Sequence, residues 1–435
     1  MASSNSKRLG DLTAVCYRYP TFYGFEYQDS GILVLKGENI TRDGELIEVD
    51  EPNYISKEVH DKYPNTHLAL NDLVMSVRGE VGKVGLVDQR FTGANINANT
   101  IRISLKHEVA ANQALPRFVW AVFNSKIGAS QIRRLVSGGV QETITAPEIL
   151  DILIPIPPLP IQLAMVAEMD AARIQRNRKL EEAVVLLSGL DAFLLDHLGL
   201  SMPKSANRLT YAIRLSAIQV SKQIGADYFH PERINALRAI QTAKKAKRFA
   251  RLDEIADFHR DIETEYDPEQ YLGLAGVQSQ TGELAETSEE PGQGQSFRYC
   301  ENDVLYARLR PYLNKVWRAE RDGVCSTEFH VIHIKKEMSD LLPDYLSAVL
   351  RSSVVVSQTK HMMTGNTHPR LANEDVVDLL IPIPDEKVQR EIVEELHKRR
   401  MKARKLREEA VREWDAAKAQ FEAKLLGTEV GNESR

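Results

Sequence analysis

Hydrophobic positions along this chain follow two spacings, and the order of the spacings occurs twice. Period-two alternation at Ile101–Leu105 (IRISL) and Phe329–Ile334 (FHVIHI) predicts strands. A three-to-four spacing in RFVWAVFNSKIGASQIRRLV (Arg117–Val136) and PDYLSAVLRSSVVVSQTKHM (Pro343–Met362) predicts a pair of corresponding helical segments. Each is followed by a glycine-containing turn, SGGVQ at 137–141 and TGNTHP at 364–369. Each turn is followed in turn by an I-P-I-P segment. Proline has no N–H to give and fixes φ, so alternate prolines predict an extended edge segment.

A long helical seam closes each half. In the second half, Val388, Ile392, Leu396, Ala403, Leu406, Ala410, Trp414, Ala417, Phe421 and Leu425 keep a coiled-coil spacing, interrupted at Arg399. In the first, Ile161, Met165, Met169, Ala172, Ala183, Leu187, Leu190, Leu194 and Leu198 do the same, interrupted at Arg176 and Lys179. Core packing is the reading for Met165, Met169 and Trp414. A helix of about 39 residues is a rod of roughly 58 Å.

The halves are copies. DILIPIPPLPIQ at Asp151–Gln162 matches DLLIPIPDEKVQ at Asp378–Gln389, with glutamine at the same distance from the last shared proline. Upstream, LALNDLVMSVRGEVGKVGLV at Leu68–Val87 matches YCENDVLYARLRPYLNKVWRA at Tyr299–Ala319, and LVLKGENITRDGEL at Leu33–Leu46 matches YLGLAGVQSQTGEL at Tyr271–Leu284. Three matches in one order, each set followed by a long helix, indicate tandem duplication. The expected fold is α+β: two similar globular α/β parts joined by two long antiparallel coiled-coil helices, with an internal pseudo-two-fold repeat. The expected boundaries are 1–157 and 201–384 for the globular parts, 158–200 and 385–427 for the helices, and 428–435 for a flexible tail.

Composition narrows the partners. The 435 residues carry 56 Lys and Arg against 61 Asp and Glu, a formal charge of −5. A wholly basic coat is excluded, whereas a local basic groove is not. Cys16, Cys300 and Cys325 are too few and too scattered for a disulfide framework or a zinc site, and they fit a reducing cytoplasm. No apolar run reaches membrane-spanning length, and the first fifteen residues lack a signal-peptide core.

Catalytic chemistry is hard to find. There is no G-x-x-x-x-G-K-[ST] loop, no [DNS]-P-P-[YFW] tetrapeptide and no convincing nuclease pattern. His330 and His333 lie three apart in an alternating strand, on opposite faces, which disfavours a shared metal. His67, His107, His230, His259 and the remaining histidines read as isolated structural or surface residues, so no metal site is expected.

These repeated segments resemble the specificity subunits of type I restriction–modification systems. The I-P-I-P-P-L-x-x-Q stretch leading into a long helix occurs twice, although Asp385-Glu386 replace Pro-Leu in the second copy. Gly31–Leu46, Asn71–Gly85 and GADYFHPERINAL at Gly225–Leu237 also look like that family. The resemblance implies two target recognition domains, each reading half of a bipartite, gapped site on double-stranded DNA. It implies a non-catalytic cytoplasmic chain whose helices dock two methyltransferase subunits, with a restriction subunit able to join them. S-adenosylmethionine would then sit in the methyltransferase partner, and ATP and Mg in the restriction subunit. The competing reading is a two-headed adaptor that bridges proteins without DNA readout.

Phosphates call for Lys and Arg, and bases for Arg, Asn or Gln. The candidates in the first half are Arg78, Lys83, Asn95, Asn97, Asn99, Arg133, Arg134 and Gln141. In the second they are Arg308, Arg310, Asn314, Lys315, Arg318, Lys360, Asn366, His368 and Arg370. The run Lys244, Lys245, Lys247, Arg248 and Arg251 reads equally as a phosphate track or a basic helix face. The aromatics Tyr17, Tyr19, Phe22, Tyr23, Phe25 and Tyr27 read first as a buried cluster, with a partner or DNA surface as the alternative.

Overall fold

The computed structural model describes residues 6–20, 26–136, 142–202, 210–221, 224–285, 295–363 and 369–427. Phe22, Tyr23, Phe25, Gln141, Asn366, His368 and the tail 428–435 lie outside these. The chain divides into two compact units, residues 1–179 with 408–435, and residues 180–407. The division falls inside the long helices, so each unit takes a part of both.

In the first unit, a four-stranded antiparallel sheet runs in the order Thr13–Arg18, Thr100–Leu105, Leu73–Ser76, Val84–Leu86. Alternation along Leu73–Ser76 puts Leu73 and Met75 into a helix-covered core with Phe118, Val119 and Val122. Val74 faces a smaller core with Leu35, Ile40 and Ile96. That second core is covered by the sheet Asn53–Ile55, Ile32–Leu35, Asn95–Ile96, whose last pair is parallel. The second unit repeats the plan. Its sheet runs Ala256–His259, Phe329–Ile334, Val304–Ala307, Val316–Arg318. Val304 and Tyr306 face the helices, and Leu305 and Ala307 face the smaller core.

The repeated Asn-Asp pair shapes the hairpin in each sheet. Asn71 and Asn302 take left-handed backbone, φ 68° and 73°, which asparagine tolerates better than most residues. The Asp72 carboxylate accepts from the Ala69 N–H at 2.8 Å and pairs with Arg102 at 2.7 Å. Asp303 does the same with the Cys300 N–H (2.8 Å) and His333 (2.7 Å).

The proline-rich segments are ribbon strands. Leu153–Pro155 pairs with Ser6–Arg8, and Leu380–Pro384 with Ala246–Arg251, each as an antiparallel two-stranded sheet. Leu153 is gripped by the Gln131 side-chain amide, which donates to its carbonyl and accepts from its N–H, both at 2.9 Å. Gln358 grips Leu380 in the same way, at 3.0 and 2.9 Å. The basic run 244–251 thus lies largely on a strand, not a helix, with Lys247, Arg248 and Arg251 paired to Asp385, Asp340 and Asp378.

The repeated glutamine anchors each long helix. Gln162 is fully buried; its Nε2 donates to the carbonyls of Gln113 and Pro157 at 2.7 Å, and its Oε1 accepts from the Leu115 N–H at 3.0 Å. Gln389, equally buried, donates to Asp340 (2.9 Å) and Pro384 (3.0 Å) and accepts from Leu342 (2.9 Å). Every partner is the repeat-related residue.

The first long helix is two pieces, Leu159–Ser188 and Leu190–Leu198, broken at Gly189 where the sequence suggests one; the second runs unbroken, Glu386–Leu426. Within the first unit Met165 and Met169 share a core with Trp414 and Phe421. Within the second, Leu194 joins Ile392 and Leu396, with Leu187 and Val388 packed against them. Pairing order is antiparallel in both: Glu168–Lys424 and Lys179–Glu409 in one, Glu182–Lys402 and His197–Glu391 in the other. Leu406 is half-buried. Ile161 departs from the expected seam and is 49% exposed, because Gln162, Met165 and Met169 occupy the inward face of the first turns of that helix. The interruptions have partners: Arg176 reaches Asp43 (2.8 Å), Lys179 reaches Glu409 and Glu413, and Arg399 donates to the Gly189 carbonyl at the break (3.1 Å).

Gln389→Ala leaves two carbonyls and one N–H of the second unit unpaired, at about 1–3 kcal/mol for each group that water cannot reach. Urea unfolding should show that loss, while the exposed Gln420→Ala stays within about 0.5 kcal/mol of the parent. Equal midpoints for the two variants would refute the anchoring role.

Candidate nucleic-acid interface

In the first unit the loop between Leu73–Ser76 and Val84–Leu86 is fixed by its own backbone. The buried Ser76 hydroxyl donates to the Glu80 carbonyl (2.5 Å) and accepts from the Lys83 N–H (3.0 Å). Gly82 has φ 90°, and a Cβ there would sit 2.7 Å from Ile132 Cγ2, so glycine lets the helix Lys126–Leu135 pack beneath the loop. That helix ends with Arg133 and Arg134 exposed in its last turn. Arg78 forms a bridge with Thr143, beyond the turn that follows the helix.

Beside the loop lies an open depression of about 320 Å³, lined by Lys36, Gly37, Glu38, Arg78, Glu80, Lys83, Asn97 and Asn99. Lys36 pairs with Glu38, and Lys83 with Glu80 at 3.0 Å. Arg78 has no carboxylate partner among the described residues, and its Nε is buried without a hydrogen-bond acceptor. Arg18 stands beside it; its Nε donates to the Ala98 carbonyl (2.7 Å) and its buried NH2 finds no acceptor. Burial and then the Arg78 charge lower the Arg18 pKa. Arg78 thus brings a guanidinium with an unused donor to the depression, a group that suits an anion.

The second unit builds the same loop differently. Arg310 and Asn314 both take left-handed backbone, φ 49° and 52°, around the turn Pro311–Leu313. Leu309 forms a bridge with Arg370, the repeat-related counterpart of the Arg78–Thr143 bridge. Arg308 has a buried Nε without an acceptor, Arg310 is exposed, and Arg370 pairs with Glu328 at 2.6 Å.

The structure therefore gathers Arg78, Lys83, Asn97 and Asn99 in one unit and Arg308, Arg310 and Arg370 in the other. Four candidates have partners within the fold. Asn95 is fully buried and committed to Thr66 and His60 at 2.9 and 2.7 Å. Asn314 is 3% exposed, with its amide nitrogen on Gln280 and the Arg351 carbonyl. The Lys315 ammonium donates to the Leu274 carbonyl (2.8 Å). Arg318 lies at the base of the hairpin and pairs with Asp344 (3.1 Å). In the Asn cluster only Asn99 is exposed, since Asn97 is 8% accessible and its Oδ1 accepts from Asn99 and Thr100. Lys360 stands apart from the loop, paired with Glu232. Of the aromatic run, Tyr19 is buried against Tyr63 and Tyr27 is 45% exposed. Arg18 carries no sequence signal, because an arginine within an alternating strand reads as a solvent-facing position.

Residues 3–182 match the family model described as type I restriction modification DNA specificity domain. The type I restriction enzyme EcoDI specificity subunit of Escherichia coli is 25% identical over 148 residues, which are 33% of this chain and 32% of that protein. The matched stretch is thus about a third of that relative's length. A chain from a structure describing complex assembly and conformational transition of the type I R-M system superposes with TM-score 0.55 and 15% identity, covering 98% of this chain and 97% of that one. The type I S subunit from M. genitalium aligns over 98% and 97% at TM-score 0.45 and 13% identity. The family model covers the first copy of the repeated motifs, and the α+β fold of this chain is that of the chain superposed at TM-score 0.55. No described helix is long and apolar enough to cross a membrane.

His330 lies beneath the second loop, 5% exposed, among Tyr306 and Phe258. Burial, with Arg308 and Arg260 near it, pushes its imidazole down to about 3 from 6.5. Between these values the unfolded chain binds a proton that the folded chain does not. Stability contributed at this site is complete above about pH 6.5 and falls as the pH drops toward 3, by up to about 1.4 kcal/mol per unit. Unfolding at a series of pH values should show a shallower slope for His330→Gln in that window; an unchanged slope would contradict the burial argument.

Proposed function

We propose, from the premise that residues 3–182 carry a type I restriction-modification DNA specificity domain, that the whole chain is a DNA-recognition subunit. Each unit reads one half of a bipartite, gapped duplex site. One observation carries this reading: both units present, at the repeat-related hairpin loop, an arginine whose Nε is buried and unpartnered, Arg78 and Arg308. An unpaired guanidinium donor at the rim of a loop is costly in isolation and is satisfied by a guanine edge or a phosphate.

The chain itself is non-catalytic in this reading. Two methyltransferase subunits carrying S-adenosylmethionine dock on it and methylate adenine in each half-site, and a restriction subunit using ATP and Mg can join. Because the two loops differ in residue content, the half-sites differ and the target is asymmetric. The adaptor reading leaves the paired arginine loops without a role.

Binding to duplex DNA should fall steeply with salt, as phosphate neutralisation requires. Arg78→Ala and Arg308→Ala should each weaken binding about 10- to 100-fold, the range of one good base contact. Each should relax preference in a different half-site. Fluorescence anisotropy with half-site-scrambled duplexes checks this. Salt-independent or absent binding by the complex with its methyltransferase subunits would support the adaptor instead.

A further inference from the structure

The second unit holds a group of side chains that the recognition loops do not use. His230, Glu232 and His361 each offer one donor atom, and the three atoms lie within 4.8 Å of one another. We propose that these residues form a binding site for a first-row divalent metal ion, zinc in the first instance.

The donors come from two elements that are remote in sequence. His230 caps the helix Pro231–Gln241, and Glu232 stands in its first turn. His361 follows the helix Ser353–Thr359. The imidazoles of His230 and His361 stack with centroids 3.4 Å apart and planes 26° from parallel. His361 Nε2 is 2.9 Å from the Glu232 carboxylate. All three residues are half-buried, which limits competition from water while leaving a path for an ion.

Two neutral imidazoles and one carboxylate are a recurring zinc set, with a fourth position open to water. Tetrahedral bonds of 2.0–2.1 Å hold donors about 3.4 Å apart, so the side chains need to close by only about an ångström. Oxygen-seeking magnesium and calcium are disfavoured by the nitrogen donors. The contact from the Glu232 N–H to His230 Nδ1, long at 3.3 Å, is readily given up.

One group competes. The Lys360 ammonium sits 3.1 and 3.2 Å from the Glu232 carboxylate oxygens. A metal ion on Glu232 displaces it and returns a free cation to the surface just ahead of residues 364–368, the turn that the sequence assigns to recognition. The ion would also tie the helix that begins at Pro231 to the segment leading into that turn.

The test titrates the chelator-treated full-length chain with ZnCl2 by calorimetry and with CoCl2 by visible absorption. The expected result is one saturable zinc equivalent, a cobalt spectrum of low coordination number that zinc abolishes, and a raised melting temperature. His361→Ala and Glu232→Gln should each weaken binding tenfold or more, while Lys360→Ala strengthens it several-fold. Melting in chelator shows whether each variant is folded, and Glu232→Gln serves if His361→Ala is not. No saturable binding, or binding that Glu232→Gln leaves unchanged, overturns the site. An unchanged affinity in Lys360→Ala overturns the displacement of that lysine.

Discussion

A buried glutamine amide holds each half of this protein in register. Gln162 and Gln389 each join three points: the end of a proline-rich strand, the loop ahead of a core helix, and the first turn of a long helix. Proline makes the device necessary. A segment that alternates apolar residues with proline cannot enter a continuous sheet, because half its donors are missing. Its carbonyls still require partners when buried. The glutamine supplies two donors and an acceptor from one planar group, and Gln131 and Gln358 repeat the solution one strand residue at a time. Alanine at Gln162 or Gln389 exposes no charge and removes little apolar area, yet it unpairs backbone groups held by a fully buried side chain.

The long helices then do two jobs. They are core elements, since Met165, Met169, Trp414 and Phe421 share one apolar cluster and Leu194, Ile392 and Leu396 another. They are also the means by which each repeat contributes to both compact units. Their polar interruptions are specific contacts rather than defects. Asp43, at the tip of a turn that requires Gly44 at φ 75°, takes Arg176 from one helix and the Trp414 indole N–H from the other.

Duplication, strand alternation, the proline segments and the helical seams were legible in the sequence because each is a periodic or repeated signal. The Asn-Asp pair was legible as a marker but not as a mechanism. Its role is a left-handed turn with a carboxylate that closes it, and that depends on Arg102 and His333 from a neighbouring strand. The loop candidates were only partly legible. Composition finds Arg78 and Arg308, yet it cannot tell them from Asn95 or Asn314, whose amide nitrogens are spent inside the fold. His230 and His361 read as isolated because 131 positions separate them, and no periodicity links the start of one helix to the end of another. Ile161 shows the complementary error: the seam was right, but one buried glutamine turned the first position outward.

The central claim is that two related but different loops read two halves of one DNA target. The most direct measurement is a map of methylated adenines in cells that express this chain together with the methyltransferase subunit proposed for it. A single recurrent gapped, asymmetric motif should appear, and it should disappear when this chain is omitted. An assembled, cofactor-binding complex that leaves no new methylation, or a motif with two identical halves, would contradict the claim.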